Sequence, residues 1–355
     1  MKKFVLALSI FWLLQQVTFG IDNNFKLIRT IDGEDDYVYS EISGAFLSQC
    51  REIFILDFKD NTISKYDWEG RLIKRVGRKG QGPMDFLGPK CLCASNDKLF
   101  LLDQMNTRIA EFDLNLENFH YIKLSSSVGY PDAFHVLDNN RFLVQTLFTI
   151  SNSVNDNEHN FKIAIIDNDS KVQKSFFDLL PIKPNNRGRG DKKMEIGLGF
   201  LTSIKFGFND KGDEMLIAFG MPDNPIVFYI FDTQGKMLKT FKHSVDKSYT
   251  FPFALISGEK LTFESLKGVR NIHTKSVCYY QKCWYVFMEL RSYRTYKDYD
   301  SRFFYLKYDE NGQFLGEFPT EKGFQCFFVS TDGYFLGKHS NADYEQLMVY
   351  KILNN

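Results

Sequence analysis

The chain has 355 residues and equal numbers of basic and acidic side chains, 44 of each. That balance gives no bulk attraction for nucleic acid or an anionic membrane, so neither is expected as a partner. Aromatic residues make up 16%, with 36 Phe and 18 Tyr against only 9 Pro, which favours strands because flat side chains pack on pleated, half-buried surfaces.

Residues 1–20 read as a secretory signal peptide. Lys2-Lys3 is basic, Phe4 to Leu14 is apolar except for Ser9, and Thr18-Phe19-Gly20 follows at the cleavage position. The apolar run is too short to span a bilayer, and no cysteine sits near the cleavage site to carry a lipid. The mature chain, residues 21–355, is expected in the periplasm, at the cell surface or secreted. Export permits disulfides. Of the six cysteines, Cys91 and Cys93 share one face of a predicted strand and are poorly placed to bond each other. Cys278 and Cys283 flank a predicted hairpin and form a candidate pair, with buried free thiols as the alternative. No zinc-ligand spacing is present.

From there a hairpin repeats: an apolar run, a tight polar turn, an apolar run. It occurs six times, with second strands at Ile53-Phe54-Ile55-Leu56, Leu99-Phe100-Leu101-Leu102, Phe142-Leu143-Val144, Met215-Leu216-Ile217, Trp284-Tyr285-Val286-Phe287 and Tyr334-Phe335-Leu336. A second hairpin follows five of these, around Asp67-Trp68-Glu69-Gly70, in Glu111–Ile122, in Ala164–Phe176, around Asp232-Thr233-Gln234-Gly235 and in Leu306–Leu315. Asp-x-x-Gly is tight-turn chemistry: Asp bonds the turn backbone and Gly accepts positive φ. The last repeat lacks its outer strand, and Phe25 to Ile31 resembles the outer strand Arg71 to Val76. The expected fold is therefore all-β, a single six-bladed β-propeller of four-stranded blades, whose ring is closed by the N-terminal strand.

The stretch Gly77-Arg78-Lys79-Gly80-Gln81-Gly82-Pro83, with Phe86, Pro89, Leu102-Asp103, Asn106, Arg108-Ile109 and Phe112-Asp113, resembles an NHL-type repeat. It is more similar still to exported six-bladed β-propeller proteins of bacteria. That resemblance implies the fold and a binding role and transfers no catalytic residue. Asp103, Asn106 and Arg108 are expected to hold a tight connection, with Asp57 and Asn61 as counterparts one blade earlier.

Propeller topology puts the first-to-second and third-to-fourth strand turns on one face, where they are short. The long segments, at 77–88, 146–160, 178–201, 243–270, 289–301 and 338–345, all map to the other face, and elaborated loops on a rigid scaffold carry function. Three ligand-binding clusters follow. Arg78 and Lys79 lie in a glycine loop able to present backbone N–H groups to an anion, or simply to link blades. Arg187 and Arg189 lie in a basic insert that could meet phosphate or an acidic polymer, or remain a solvated loop. Arg291, Tyr293, Arg294, Tyr296, Tyr299 and Arg302 combine the side chains that dominate recognition hot spots, or pack the blade. No nucleophile or zincin motif is present. The expected function is a non-enzymatic module without a cofactor, binding a peptide, a glycan or an envelope protein. The rival is a lactonase-like hydrolase or lyase with calcium in the central channel, drawing on Glu195, Asp223 or Asn271; the apolar inner strands argue against it.

Overall fold

The computed structural model describes residues 25–34, 37–95, 97–138, 141–146, 159–182, 204–219, 226–244, 270–294, 299–320, 324–340 and 344–353. They form six four-stranded antiparallel sheets and one short hairpin of Gly33–Glu34 with Tyr37–Val38. Blade 1 runs Ile42–Leu47, Ile53–Asp57, Thr62–Tyr66 and Leu72–Val76; blade 2 runs Pro89–Ser95, Lys98–Asp103, Arg108–Asp113 and His120–Lys123. Blade 3 runs Pro131–Asp138, Arg141–Thr146, His159–Asp167 and Val172–Ile182; blade 4 runs Ile204–Phe208, Glu214–Phe219, Ile226–Asp232 and Met237–His243. Blade 5 runs Arg270–Tyr280, Cys283–Tyr293, Tyr299–Asp309 and Phe314–Pro319. Blade 6 takes Gln325–Val329, Tyr334–Ser340 and Glu345–Ile352 from the end of the chain and Phe25–Ile31 from its beginning.

The unbroken apolar runs of the second strands have a simple cause. Side chains alternate across a sheet, and here both faces are covered by a neighbouring blade. In Ile53–Asp57, Ile53 and Ile55 pack against Leu336 and Leu347 of blade 6. Phe54 and Leu56 pack against Leu99 and Leu101 of blade 2. The core is accordingly divided into six clusters, one at each seam of the ring.

The closing strand pairs antiparallel with Glu345–Ile352, from Phe25 opposite Ile352 to Ile31 opposite Leu347, with one irregularity between Leu27 and Arg29. Phe25 reaches past its own blade and meets the ring of Tyr305 edge-on at 5.9 Å. The seam between blades 6 and 1 carries a second latch. Trp68 packs edge-on against Tyr334 at 5.1 Å, with the Arg51 guanidinium over both rings.

Inner strands approach so closely that one position admits only glycine. A Cβ on Gly207 in blade 4 would lie 2.4 Å from the carbonyl oxygen of Val277 in blade 5. Backbone cannot yield as a flexible side chain would. Gly207→Ala is expected to cost about 1–3 kcal/mol through overpacking, read as a lower urea midpoint at unchanged slope.

Candidate functional site

On the face bearing the short turns, the aspartates that open the turns are committed to their own backbone. Each third-to-fourth strand turn starts at an Asp whose Oδ1 accepts backbone N–H groups of its own turn. Asp113 accepts from Asn115 and Glu117 at 3.0 and 2.8 Å, Asp232 from Gln234 and Lys236 at 2.9 and 2.8 Å, and Asp309 from Asn311 and Gln313 at 2.9 and 2.7 Å. Asp67 and Asp167 do the same. Gly70, Gly235 and Gly312 supply the expected positive φ; Leu116 and Ser170 adopt it in blades 2 and 3 without a glycine.

The opposite face is where chain links meet the ends of second strands. In blades 1 and 2 these ends carry buried aspartates that clamp the incoming link. Asp57 accepts from the N–H groups of Ser40, Lys59 and Asp60 at 3.0, 2.9 and 3.1 Å. Burial pushes its carboxyl up, against the pull of those donors. Asp103 accepts from Leu87 N–H at 2.7 Å, Asn106 Nδ2 at 2.7 Å and Arg108 Nε at 2.8 Å. Arg108 donates from Nη2 to the carbonyls of Gly82 and Asp85, at 2.9 and 2.6 Å, and Asn106 donates to Gly80 O at 3.0 Å. Asn61 Oδ1 accepts from Gly88 N–H at 3.0 Å. So these residues do hold the connections, and they also fix the glycine loop one blade over.

That loop is occupied by its own groups. Gly80 and Phe86 donate their N–H groups within the loop, Leu87 and Gly88 donate theirs to Asp103 and Asn61, and the Asp85 carboxylate accepts from Gly82 N–H at 3.3 Å and from Arg78 Nε at 2.7 Å. The Arg78 guanidinium holds the Asp85 carboxyl below the usual carboxylate range. An acidic side chain of the loop thus takes up a backbone N–H that could have met an anion. Arg78 and Lys79 both remain exposed at the surface.

The Arg/Tyr cluster of blade 5 is split by the sheet. Arg291 stands opposite Ser301 and Arg302 opposite Leu290, on adjacent register positions and therefore on opposite faces. Arg291 is bidentate on Glu289, at 2.7 and 2.8 Å. Glu289, whose side chain is 3% exposed, also takes Lys275 Nζ at 3.1 Å and Ser301 Oγ at 2.8 Å. Arg294 forks onto Asp300, both oxygens at 2.7 Å, and Arg302 pairs with Glu317. Tyr293 and Tyr299 are backbone partners in the strand register. Tyr296, Arg187 and Arg189 lie outside the described residues, as do Glu195 and Asp223.

Two further ion pairs on this face join strands or blades, Lys90–Asp132 at 2.7 Å between blades 2 and 3 and Lys338–Glu345 at 2.8 Å; like Lys275–Glu289, they were not singled out from sequence. Glu345 also accepts from Ile42 N–H of blade 1. Lower down, the inner strands are apolar and aromatic. His135 stacks on Phe208 at 3.8 Å between centroids, and Phe46 meets Phe328 at 5.0 Å. Among the described residues no three His, Cys, Asp or Glu side chains are grouped as metal ligands.

These placements set an acid response. Burial pushes His135 and His273 down to about 4 from 6.5, so the unfolded chain takes up protons that the folded chain refuses. Stability present above pH 6.5 is then lost as pH falls towards 4, by about 1–3 kcal/mol per histidine. Glu289 suffers desolvation but is held at about 2 by Arg291, Lys275 and Ser301. Its contribution is complete above pH 4.5 and disappears towards pH 2. Lys275, by contrast, is pushed down by burial, so the net gain from that pair is smaller than Glu289 alone suggests. Melting temperature should drop between pH 7 and 4.5, and less steeply in His135→Asn; parallel profiles would refute the assignment.

A family described as "6-bladed beta-propeller" matches residues 28–186. A candidate exported protein from Bacteroides fragilis is similar in structure, with TM-score 0.58, 12% identity, and coverage of 95% of this chain and 98% of that one. U3-55K gives TM-score 0.50 at 12% identity over 94% of this chain and 100% of that one. The virginiamycin B lyase of Staphylococcus aureus gives 0.46 at 12% identity, covering 93% of this chain and 100% of that one, which is too distant to carry an argument. No curated protein sequence matches the chain. Likeness at this identity speaks to fold alone, and it agrees with the six sheets, the six seam cores and the shared closing blade: the chain is a six-bladed β-propeller with an NHL-like glycine loop.

Proposed function

We propose that the chain is an exported, non-enzymatic binding module that holds a peptide, a glycan or an envelope protein on the face carrying the long links. The observation behind this is that the long links gather on one face and place two arginines there in exposed pairs. The turn face also carries exposed pairs, such as Arg71–Asp67 and Lys98–Glu111, but its turns are short and its turn aspartates are tied to their own backbone. On the link face, cations lie in exposed pairs that a ligand can open cheaply. Arg78–Asp85 and Arg294–Asp300 leave their arginine side chains 82% and 63% exposed, and such pairs are worth about 0–1 kcal/mol. Exchanging Asp300 for a ligand carboxylate or hydroxyl therefore costs little. Arg291 is different: its partner is buried, and it serves the scaffold.

The test uses an array of peptides and glycans, followed by titration of the best binder. Arg78→Ser combined with Lys79→Ser and Arg294→Ser should weaken binding at least about tenfold, the loss of roughly 1.4 kcal/mol. Lys98→Ser on the turn face should leave it unchanged. Stoichiometric calcium or zinc in the purified protein, with turnover of a lactone or ester, would overturn the reading in favour of a channel enzyme.

A further inference from the structure

Six free cysteines are present, and two of them meet. Cys278, on the inner strand of blade 5, and Cys326, on the inner strand of blade 6, bring their Sγ atoms to 3.4 Å. Both are buried within the same seam core, among Tyr280, Tyr285, Phe335 and Tyr350. The other thiols are committed elsewhere or stand apart. Cys91 and Cys93 donate to the carbonyls of Asp132 and Phe134, at 3.8 and 3.5 Å, and Cys50 is exposed. The pairing of Cys278 with Cys283 suggested by their hairpin does not fit the register. Cys278 stands opposite Tyr285 and Cys283 opposite Tyr280, a diagonal relation of about 7–8 Å between backbones. The side chain of Cys278 turns to the next blade instead.

We propose that Cys278 and Cys326 are a disulfide pair that ties blade 5 to blade 6. The two positions already aim their sulfurs at each other across the seam, which is the orientation a bridge requires. They are 48 residues apart, so the bond would close a long loop and restrict the unfolded chain. It would also reinforce the blade whose outer strand comes from the other end of the sequence. The proposal rests on the export reading for its oxidant, a small or protein-borne disulfide. One cysteine thiolate attacks that disulfide and expels the first thiolate. The second cysteine thiolate attacks the mixed disulfide and expels the other. The protein loses two thiol protons and two electrons, and the oxidant leaves as two thiols. Burial pushes the Cys326 thiol up, which disfavours its thiolate in the finished fold. The exchange therefore belongs to the stage when blade 6 docks.

The experiment refolds the reduced chain with glutathione disulfide and glutathione, blocks remaining thiols, digests without reduction and maps peptides by mass. The expected product is a linked peptide containing Cys278 and Cys326. It should vanish in Cys278→Ser and Cys326→Ser and persist in Cys283→Ser and Cys50→Ser. The oxidised protein should melt roughly 5 °C above its reduced form. Complete alkylation of both thiols in natively refolded protein, or a Cys278–Cys283 link, would overturn the proposal. The wild-type map decides this even where a serine variant does not fold. The same map on protein taken from cells separates the premises: a bond formed on refolding but absent from cells leaves the pairing standing and refutes export.

Discussion

Deleting residues 25–31 is expected to remove most of the stability of the protein. Six register positions join this strand to Glu345–Ile352. Losing their hydrogen bonds at about 1 kcal/mol each, with the burial of Ile31 and Phe25, amounts to roughly 5–10 kcal/mol. That is comparable to the whole folding free energy of a typical domain. The loss is also topological. Without the strand, Met348, Tyr350 and Ile352 keep their seam contacts on one side, but the blade exposes an edge and the strand pairing that joins the two ends of the chain is lost, leaving the packing of blade 6 against blade 1 to hold the ring. Thermal and urea unfolding should show a large fall in midpoint or an unfolded chain. A control at the same strand, Leu27→Ser, touches a side chain that is 45% exposed and should cost no more than about 0.5 kcal/mol. A deletion variant with an unchanged midpoint would contradict ring closure.

Asp103→Ala is expected to be the most damaging single substitution on the link face, at about 3–5 kcal/mol. The carboxylate is fully buried, and its removal leaves the Arg108 guanidinium, 7% exposed, without its ion-pair partner. Leu87 N–H loses its acceptor at the same moment, and Asn106 Nδ2 loses one of its two. Asp57 provides the contrast. It also clamps a link, accepting from Ser40 N–H and the Tyr37 hydroxyl, but by hydrogen bonds without a salt bridge. Burial already raises its carboxyl, so folding favours its neutral form relative to the free chain. Asp57→Ala should therefore cost less, about 1–3 kcal/mol, and Asp57→Asn less again. Urea midpoints of the variants, with Arg108→Leu added to Asp103→Ala to measure the coupling, check the order. Equal costs at the two aspartates would show that the ion pair adds nothing.

The repeat was legible because its signals are local. An unbroken apolar run beside Asn96-Asp97 or Thr331-Asp332-Gly333 marks a hairpin without reference to the rest of the chain. The unmatched Phe25–Ile31 was legible because a strand repeat with one missing member leaves a vacancy of known pattern. Leu116 and Ser170 show where turn chemistry departs from its signature: the Asp at the turn start fixes the backbone, and a non-glycine residue follows it into positive φ. The glycine loop carried two readings, an anion cradle or a link between blades; Asp85, written three residues after Gly82, takes the Gly82 N–H, as a link that holds itself would.

The site was less legible because it depends on which residues face each other across seams. Glu289 was visible in principle, as a lone acid in Trp284-Tyr285-Val286-Phe287-Met288-Glu289-Leu290-Arg291 with an arginine two places on, hence on the same face. Its Lys275 partner sits at a register irregularity between Thr274 and Ser276, which no periodicity reveals. The same alternation separates Arg291 from Arg302, which composition alone had grouped. Lys90–Asp132 and Cys278–Cys326 are contacts between blades 42 and 48 residues apart, beyond any local pattern.

The central functional statement is that partners meet the link face. A photo-reactive amino acid placed in intact cells at Lys79 or Arg294, and separately at Lys98 or Asn311 on the turn face, tests it most directly. Adducts from the first two positions alone, reduced by the Arg78→Ser, Lys79→Ser and Arg294→Ser changes introduced at the remaining sites, are the expected result. Adducts concentrated at Lys98 or Asn311 would contradict the account.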